Sequence, residues 1–191
     1  MKPLKLDNYY WQNDQVILRA LKDEDWEFHY YNRFDTPGRR LVNYEVELPP
    51  TENEAREFLD NFKDFPDNSE RLMFGIEDMK GNTVGAINLN SIDERNGTFS
   101  IGLLIDRDHR GMGYGTAAMK ILLDYAFYER RLNKYYGTVL DDNIGSPKML
   151  KKLGCVEEGV RSQMVYTEGK YHDVLLFGMT REEYERHDHM R

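Results

Sequence analysis

The sequence predicts a mixed α/β fold, and three observations carry that prediction. A helix with an explicit start signal lies in the first third of the chain. Three strand-like segments joined by short polar turns follow it. The last of them runs straight into the glycine-rich stretch Arg110-Gly111-Met112-Gly113-Tyr114-Gly115, which opens a second helix.

In chain order, "VILRAL" (16–21) begins with the β-branched residues of a strand, and "KDEDWEFHYYNRF" continues as a helix with acidic residues at its head. "DTPGRRLVNYEVELPP" carries Pro37, Gly38, Pro49 and Pro50 and reads as a long loop with at most a short element inside it. Next comes the start signal, a capping box formed by Thr51 and Glu54, with Ala55, Phe58, Leu59 and Phe62 at helical spacing behind it. "RLMFGIED", "TVGAINLNSID" and "GTFSIGLLID", separated by "MKGN" and "ERN", read as an antiparallel meander. In its third strand Phe99, Ile101, Leu103 and Ile105 alternate onto one face. Beyond the glycines, "TAAMKILLDYAFYERRL" reads as a helix of about four turns and "KYYGTVL" as a strand. "DDNIGSPKMLKKLGC" reads as a helix with Ser146 at its N-cap, Pro147 in its first turn and Gly154 past its end. "VRSQMVYT" and "YHDVLLFGMT" form a closing hairpin, followed by a charged, fraying tail that includes His187 and His189. No repeat or linker divides the chain, so one domain is expected over residues 1–191.

Composition removes several function classes. A hydrophobic share of 40% with 31% charged residues suits a folded globule. A net charge of −8 would repel a nucleic-acid backbone and favours a cationic partner. No apolar run approaches the ~20 residues that span a bilayer, and the first residues lack a secretion signal, so a cytoplasmic setting with no membrane partner is expected. The lone Cys155 forms no internal disulfide and reads as a small buried hydrophobe. No metal site is expected.

The glycine loop needs a bare backbone because side chains at Gly111, Gly113 or Gly115 would hold an anion away from the amides of the helix N-terminus. Arg110 adds a cation at the mouth. A Walker A loop is excluded, since no lysine followed by serine or threonine comes after the last glycine. A dinucleotide fingerprint fits Gly113, Gly115 and Ala118, but an antiparallel meander precedes it where a parallel unit is required.

Arg110 to Gly115 matches the Arg/Gln-x-x-Gly-x-Gly/Ala signature and resembles the GNAT N-acetyltransferases, in which this loop binds the pyrophosphate of acetyl-coenzyme A. "FSIGLLI" is similar to their fourth strand, "TAAMKILLDYAF" to their third helix, and "DDNIGSPKMLKKLGC" to their Asn-x-x-Ser/Ala helix. The closing segment "EEGVRSQMVYTEGKYHDVLLFGMTREEY" is similar to that of the branch containing ribosomal-protein N-terminal acetyltransferases. The resemblance implies a mixed sheet with an antiparallel N-terminal half, a splayed parallel pair of strands cradling the cosubstrate, and helices on both faces. It also implies contacts from Leu104 and Ile105 to the pantetheine arm, the amides from Gly111 through Met112, Gly113, Tyr114 and Gly115 to Thr116 on the phosphates, and Asn143 on the far side of the arm.

Lys152 is either a phosphate ligand or a solvated helix lysine. Many relatives protonate the departing thiolate with a tyrosine at the position held here by Leu150, and leucine donates nothing. Ser146 is the substitute the branch implies, alongside its capping role. No carboxylate occupies Val165, where some relatives keep one, so Glu47, with Glu45, stands as the candidate base against the plain reading of solvated surface acids. The expected activity is direct acetyl transfer from acetyl-coenzyme A to a protein N-terminal α-amine, with a polyamine or other small amine as the alternative. An acyl-coenzyme A sensor without turnover is the rival from another class. The partners expected are the acceptor amine and, as an open possibility, a second copy of the chain in a homodimer.

Overall fold

A computed structural model describes residues 6–65 and 71–189, of 188 and 189 the backbone alone. Alternating apolar residues drive the assembly of one sheet. Strand β1 (Val16–Arg19) buries Val16 and Leu18 completely and pairs antiparallel with β2 (Leu72–Asp78). The meander continues through β3 (Thr83–Asp93) and β4 (Thr98–Ile105). Three further strands, β5 (Lys134–Leu140), β6 (Val156–Thr167) and β7 (Lys170–Thr180), complete the order β1-β2-β3-β4-β5-β7-β6.

One junction in this sheet is parallel. Strands β4 and β5 meet only at Thr98↔Lys134 and Phe99↔Tyr135, then part company. Every other junction is antiparallel. The sheet therefore contains a wedge, and among the described residues the edge of β4 beyond Phe99 faces it without a strand partner.

Helices cover both faces because the strands alternate. From β2 and β3, Phe74, Ile76, Ile87 and Leu89 face α4 (Tyr114–Asp124), while Met73 and Ala86 meet Leu21 and Leu59 on the opposite side. Leu59 belongs to α3 (Glu52–Phe62), whose expected capping box is present: Glu54 N–H donates to Thr51 Oγ1 at 3.2 Å, and Thr51 N–H to Glu54 Oε2 at 3.1 Å. Helix α1 (Asp25–Asn32) packs beside it, locked by a buried Asp25 that accepts both from Lys22 N–H and from the Arg19 guanidinium. Helix α4 passes at its end into a single π-helical turn, Tyr125–Glu129.

Two expectations need correction. The stretch read as a long loop with at most a short element inside it holds a regular eight-residue helix, α2 (Thr36–Asn43). Asp35 accepts from Gly38 N–H at its start, and Pro37 lies in the first turn, where a missing N–H breaks no bond, so the proline starts this helix and does not interrupt it. The tail expected to fray is α6 (Arg181–His189). It docks through Tyr184, 2% exposed, whose hydroxyl donates to Asp124 at 2.6 Å. His187 bonds the Lys152 carbonyl, and the His189 side chain lies outside the described residues.

Candidate active site

The glycine loop is built by backbone geometry. Gly111 and Gly113 take φ values of +77° and +93°, in the left-handed region where a Cβ is penalised. Gly113 is the N-cap of α4, and Ala117 N–H makes the bond back to the Gly113 carbonyl. The amides of Tyr114, Gly115 and Thr116 precede that bond and lack a partner inside the helix, which leaves them directed outward at its positive end.

The wedge and this loop share one cavity of about 830 Å³. Of the residues singled out from sequence, Leu104, Ile105, Gly111, Gly113, Gly115 and Thr116 line its one wall, and Asn143, Ser146 and Lys152 line the facing one. Arg110 also lines it, with its guanidinium fixed by the Ile105 carbonyl at 3.0 Å and by Asp35 at 2.5 Å. Two residues of the loop stand apart. Met112, 56% exposed, and Tyr114, whose ring packs on the core, are not among the residues that line this cavity.

The facing wall is α5 (Gly145–Lys152), and here the expected cap is corrected. Ser146 lies inside the first turn. Asn143 supplies the capping oxygen, accepting from Ser146 N–H at 3.0 Å, because an asparagine three residues ahead has the reach that a serine within the helix lacks. Behind it, Asp141 bonds buried His172 at 2.7 Å and accepts from Asp173 N–H at 3.0 Å, which pins the turn that presents Asp142 and Asn143. The hydrogen bond from His172 is the main reason the Asp141 carboxyl titrates below its usual range.

Glu47 is also corrected. It lies outside the cavity lining, clasped by Arg39 at 2.5 Å, Arg33 at 3.3 Å and Asn43. Burial pushes its carboxyl up, but the Arg39 hydrogen bond and charge, with Arg33, outweigh that and hold it below its ordinary value. A carboxylate so held is a poor proton acceptor. Glu45 is likewise absent from the lining.

Sequence reasoning missed the roof. Helix α2 lays Leu41, Val42 and Tyr44 against the cavity, and Tyr44 sits at φ +65° in the left-handed C-cap position. Its hydroxyl donates to Thr138 Oγ1 on β5 at 2.9 Å. Asp142 and Tyr135 line the cavity too. Burial pushes the Tyr44 phenol up, with the Thr138 bond opposing.

A splayed sheet with an anion cradle at one end of the wedge defines an acyl-coenzyme A-dependent transferase, and the residues fit that cosubstrate: outward amides and bare glycines for its pyrophosphate, an unpartnered strand edge for its amide-bearing arm. Residues 15–156 match the acetyltransferase (GNAT) domain, and the chain belongs to that family. It is 30% identical over 176 residues to the uncharacterized N-acetyltransferase YokL of a Bacillus subtilis prophage, covering 92% of this chain and 96% of that one. It is 31% identical over 163 residues to spermidine N(1)-acetyltransferase of Vibrio cholerae, covering 85% and 91%. A crystal structure of spermidine N-acetyltransferase from that organism, in complex with CoA and spermine, superposes with a TM-score of 0.79 at 24% identity, covering 91% of this chain and 99% of that one. The putative ribosomal N-acetyltransferase YdaF of Bacillus subtilis is 31% identical over 105 residues, 55% of this chain and 57% of that one. The chain is thus an N-acetyltransferase that uses acetyl-coenzyme A.

Proposed function

We propose that the acceptor is a slender polycationic alkylamine of the polyamine class, not the protein N-terminal α-amine first expected. The observation that carries this is the Tyr44–Thr138 bridge, a hydrogen bond that runs from the end of α2 to β5 between two residues that line the cavity. A flexible alkylamine passes beneath such a bridge more readily than a folded protein's N-terminus. The net charge of −8 supports the same reading, as does likeness over most of the chain to a spermidine acetyltransferase.

In this reading the amides from Gly111 to Thr116 hold the pyrophosphate, with Arg110 and Lys152 as cations nearby and Leu104 and Ile105 along the arm. Bound acetyl-coenzyme A supplies an activated acyl group. Asn143 orients Ser146, and Ser146 donates to the departing sulfur. Asp142 attracts the cationic acceptor. An alkylammonium with a pKa of ~10.4 is mostly protonated at neutral pH, so the rate rises with pH as the free amine grows.

The experiment is thiol release from acetyl-coenzyme A with spermidine, spermine and a set of N-terminal peptides. We expect kcat/KM for spermidine to exceed that for any peptide by ~10-fold or more, and Asp142→Asn to raise the KM for spermidine several-fold with the KM for acetyl-coenzyme A unchanged. The reverse preference would restore the α-amine reading. Cosubstrate binding without acceptor-dependent release would favour a sensor.

A further inference from the structure

We propose that the Tyr135 hydroxyl donates a hydrogen bond to the thioester carbonyl oxygen and stabilises the charge that develops there. The inference rests on the acetyl transfer common to the family, not on the acceptor assigned above.

Topology places Tyr135 at the vertex of the wedge. Phe99↔Tyr135 is the last pair of the parallel junction, and beyond it the strands separate. The ring is 3% exposed and tilts against Phe99, with centroids 5.9 Å apart. The side chain then runs forward along its own strand. Its hydroxyl lies where a Cβ on Gly137 would be, two residues further on the same face, so the glycine at 137 makes room for it. Tyr135, Gly137 and Leu150 all line the cavity.

A buried phenol ordinarily finds a partner. Tyr44 has Thr138 and Tyr184 has Asp124, but among the described residues nothing accepts from or donates to the Tyr135 hydroxyl. It is not sealed from the cavity either, since it is absent from the buried polar atoms left without a partner. An unclaimed donor therefore faces the place where the two strands open.

The two side chains beside it offer no substitute. Leu150 on α5 is apolar and 3% exposed. Cys155, whose N–H bonds the Leu150 carbonyl, has a thiol that burial pushes up to about 12. Burial, with Cys155 and Tyr44 nearby, also pushes the Tyr135 phenol well above its usual value, so it keeps its proton at neutral pH and acts as a donor, never as a base.

The chemistry balances without that proton moving. The amine nitrogen's lone pair forms the N–C bond, and the carbonyl π pair moves onto oxygen, where the Tyr135 O–H meets it. The C=O then reforms as the C–S bond breaks with its electron pair on sulfur. The amine's surplus proton passes through water to the departing thiolate, and the products are an amide and the free thiol. Loss of one such donor typically lowers kcat by ~10²–10³.

The test uses Tyr135→Phe and Gly137→Ala. The phenyl ring keeps the packing and removes only an unpaired hydroxyl, so its melting temperature should match the wild type; the alanine displaces the hydroxyl without deleting it. The infrared stretch of 13C-carbonyl acetyl-coenzyme A is recorded bound to each protein, with no acceptor present. We expect a lowered frequency in the wild type, return toward the free value in both variants, unchanged affinity for desacetyl coenzyme A, and a ~10²-fold fall in kcat for Tyr135→Phe. An identical stretch in wild type and Tyr135→Phe overturns the proposal, even if the rate falls, because the loss would then come from packing. Should Tyr135→Phe fail to fold, Gly137→Ala decides by the same frequency criterion. The spectrum needs no acceptor, so failure of the polyamine reading leaves this result standing.

Discussion

Asn143 and Ser146 exchange two hydrogen bonds: the Asn143 amide donates to Ser146 Oγ at 3.0 Å, and the Ser146 backbone N–H donates to Asn143 Oδ1 at 3.0 Å. Because the Ser146 oxygen accepts from asparagine, its own proton is left to point elsewhere, and both residues line the cavity. Ser146→Ala is expected to lower kcat for thiol release by ~10-fold with little change in stability. Asn143→Ala should lose the helix cap as well, at about 1 kcal/mol in a thermal melt. Full activity in Ser146→Ala would reduce the pair to a structural cap.

The cradle at Gly113 separates backbone strain from steric blockade. A Cβ there would meet nothing nearer than Gln15 at 3.5 Å, so the cost of substitution comes from φ +93°. Gly113→Val should destabilise by ~1–2 kcal/mol, while Gly113→Asn, better suited to left-handed backbone, should cost less. Both should weaken coenzyme A binding by ~10-fold or more, read by titration calorimetry, since either side chain stands over the amides. Unimpaired binding in Gly113→Asn would mean that the phosphates lie elsewhere.

Glu47 ties the loop after α2 to the end of α1 through Arg33 and to α2 itself through Arg39, and its role is predicted to be structural. Glu47→Gln should cost ~1–2 kcal/mol and leave the pH dependence of kcat unchanged; a base would take the rising limb with it. Its folded carboxyl titrates below the ordinary value. The unfolded state therefore takes up protons first as pH falls, and the stabilisation present above about pH 4.5 is lost as pH drops through the lower folded value. Thermal melts of both proteins between pH 7 and 3 should converge at the acid end.

Local signals were legible and distant contacts were not. Thr51 and Glu54 announce α3 because a capping box lies within four residues, and the glycine loop announces itself because its demand is on backbone dihedrals. Helix α2 was not announced as a helix because Pro37 breaks a helix interior yet suits a first turn, and only the Asp35 cap, seen in place, decides between them. Glu47 looked free because nothing in sequence places Arg33 and Arg39 around it. Tyr135 and Thr138 drew no notice because their relevance depends on where two strands part, a property of the pairing and not of either strand.

His29 makes the α1–α3 layer sensitive to acid. The imidazole lies between Phe28 and Phe58, with centroids 5.4 and 4.8 Å away, and its Nε2 is buried without a partner among the described residues. Burial pushes its pKa down to about 4 from 6.5; Asp25 opposes this and Arg39 reinforces it. The folded value is the depressed one, so the unfolded chain binds the proton first. Stability is full above pH 6.5 and falls as pH drops toward 4, by up to ~3 kcal/mol. The Asp25 and Glu47 carboxyls titrate below their ordinary values and so lose their protons beneath most of that window. His29→Phe, which keeps an aromatic ring between the two phenylalanines and removes the titrating nitrogen, should flatten the melting temperature between pH 6.5 and 4. Parallel curves for the two proteins would show that α1 lets water reach the charged imidazole without unfolding, and that the aromatic layer over the meander is looser than its packing suggests.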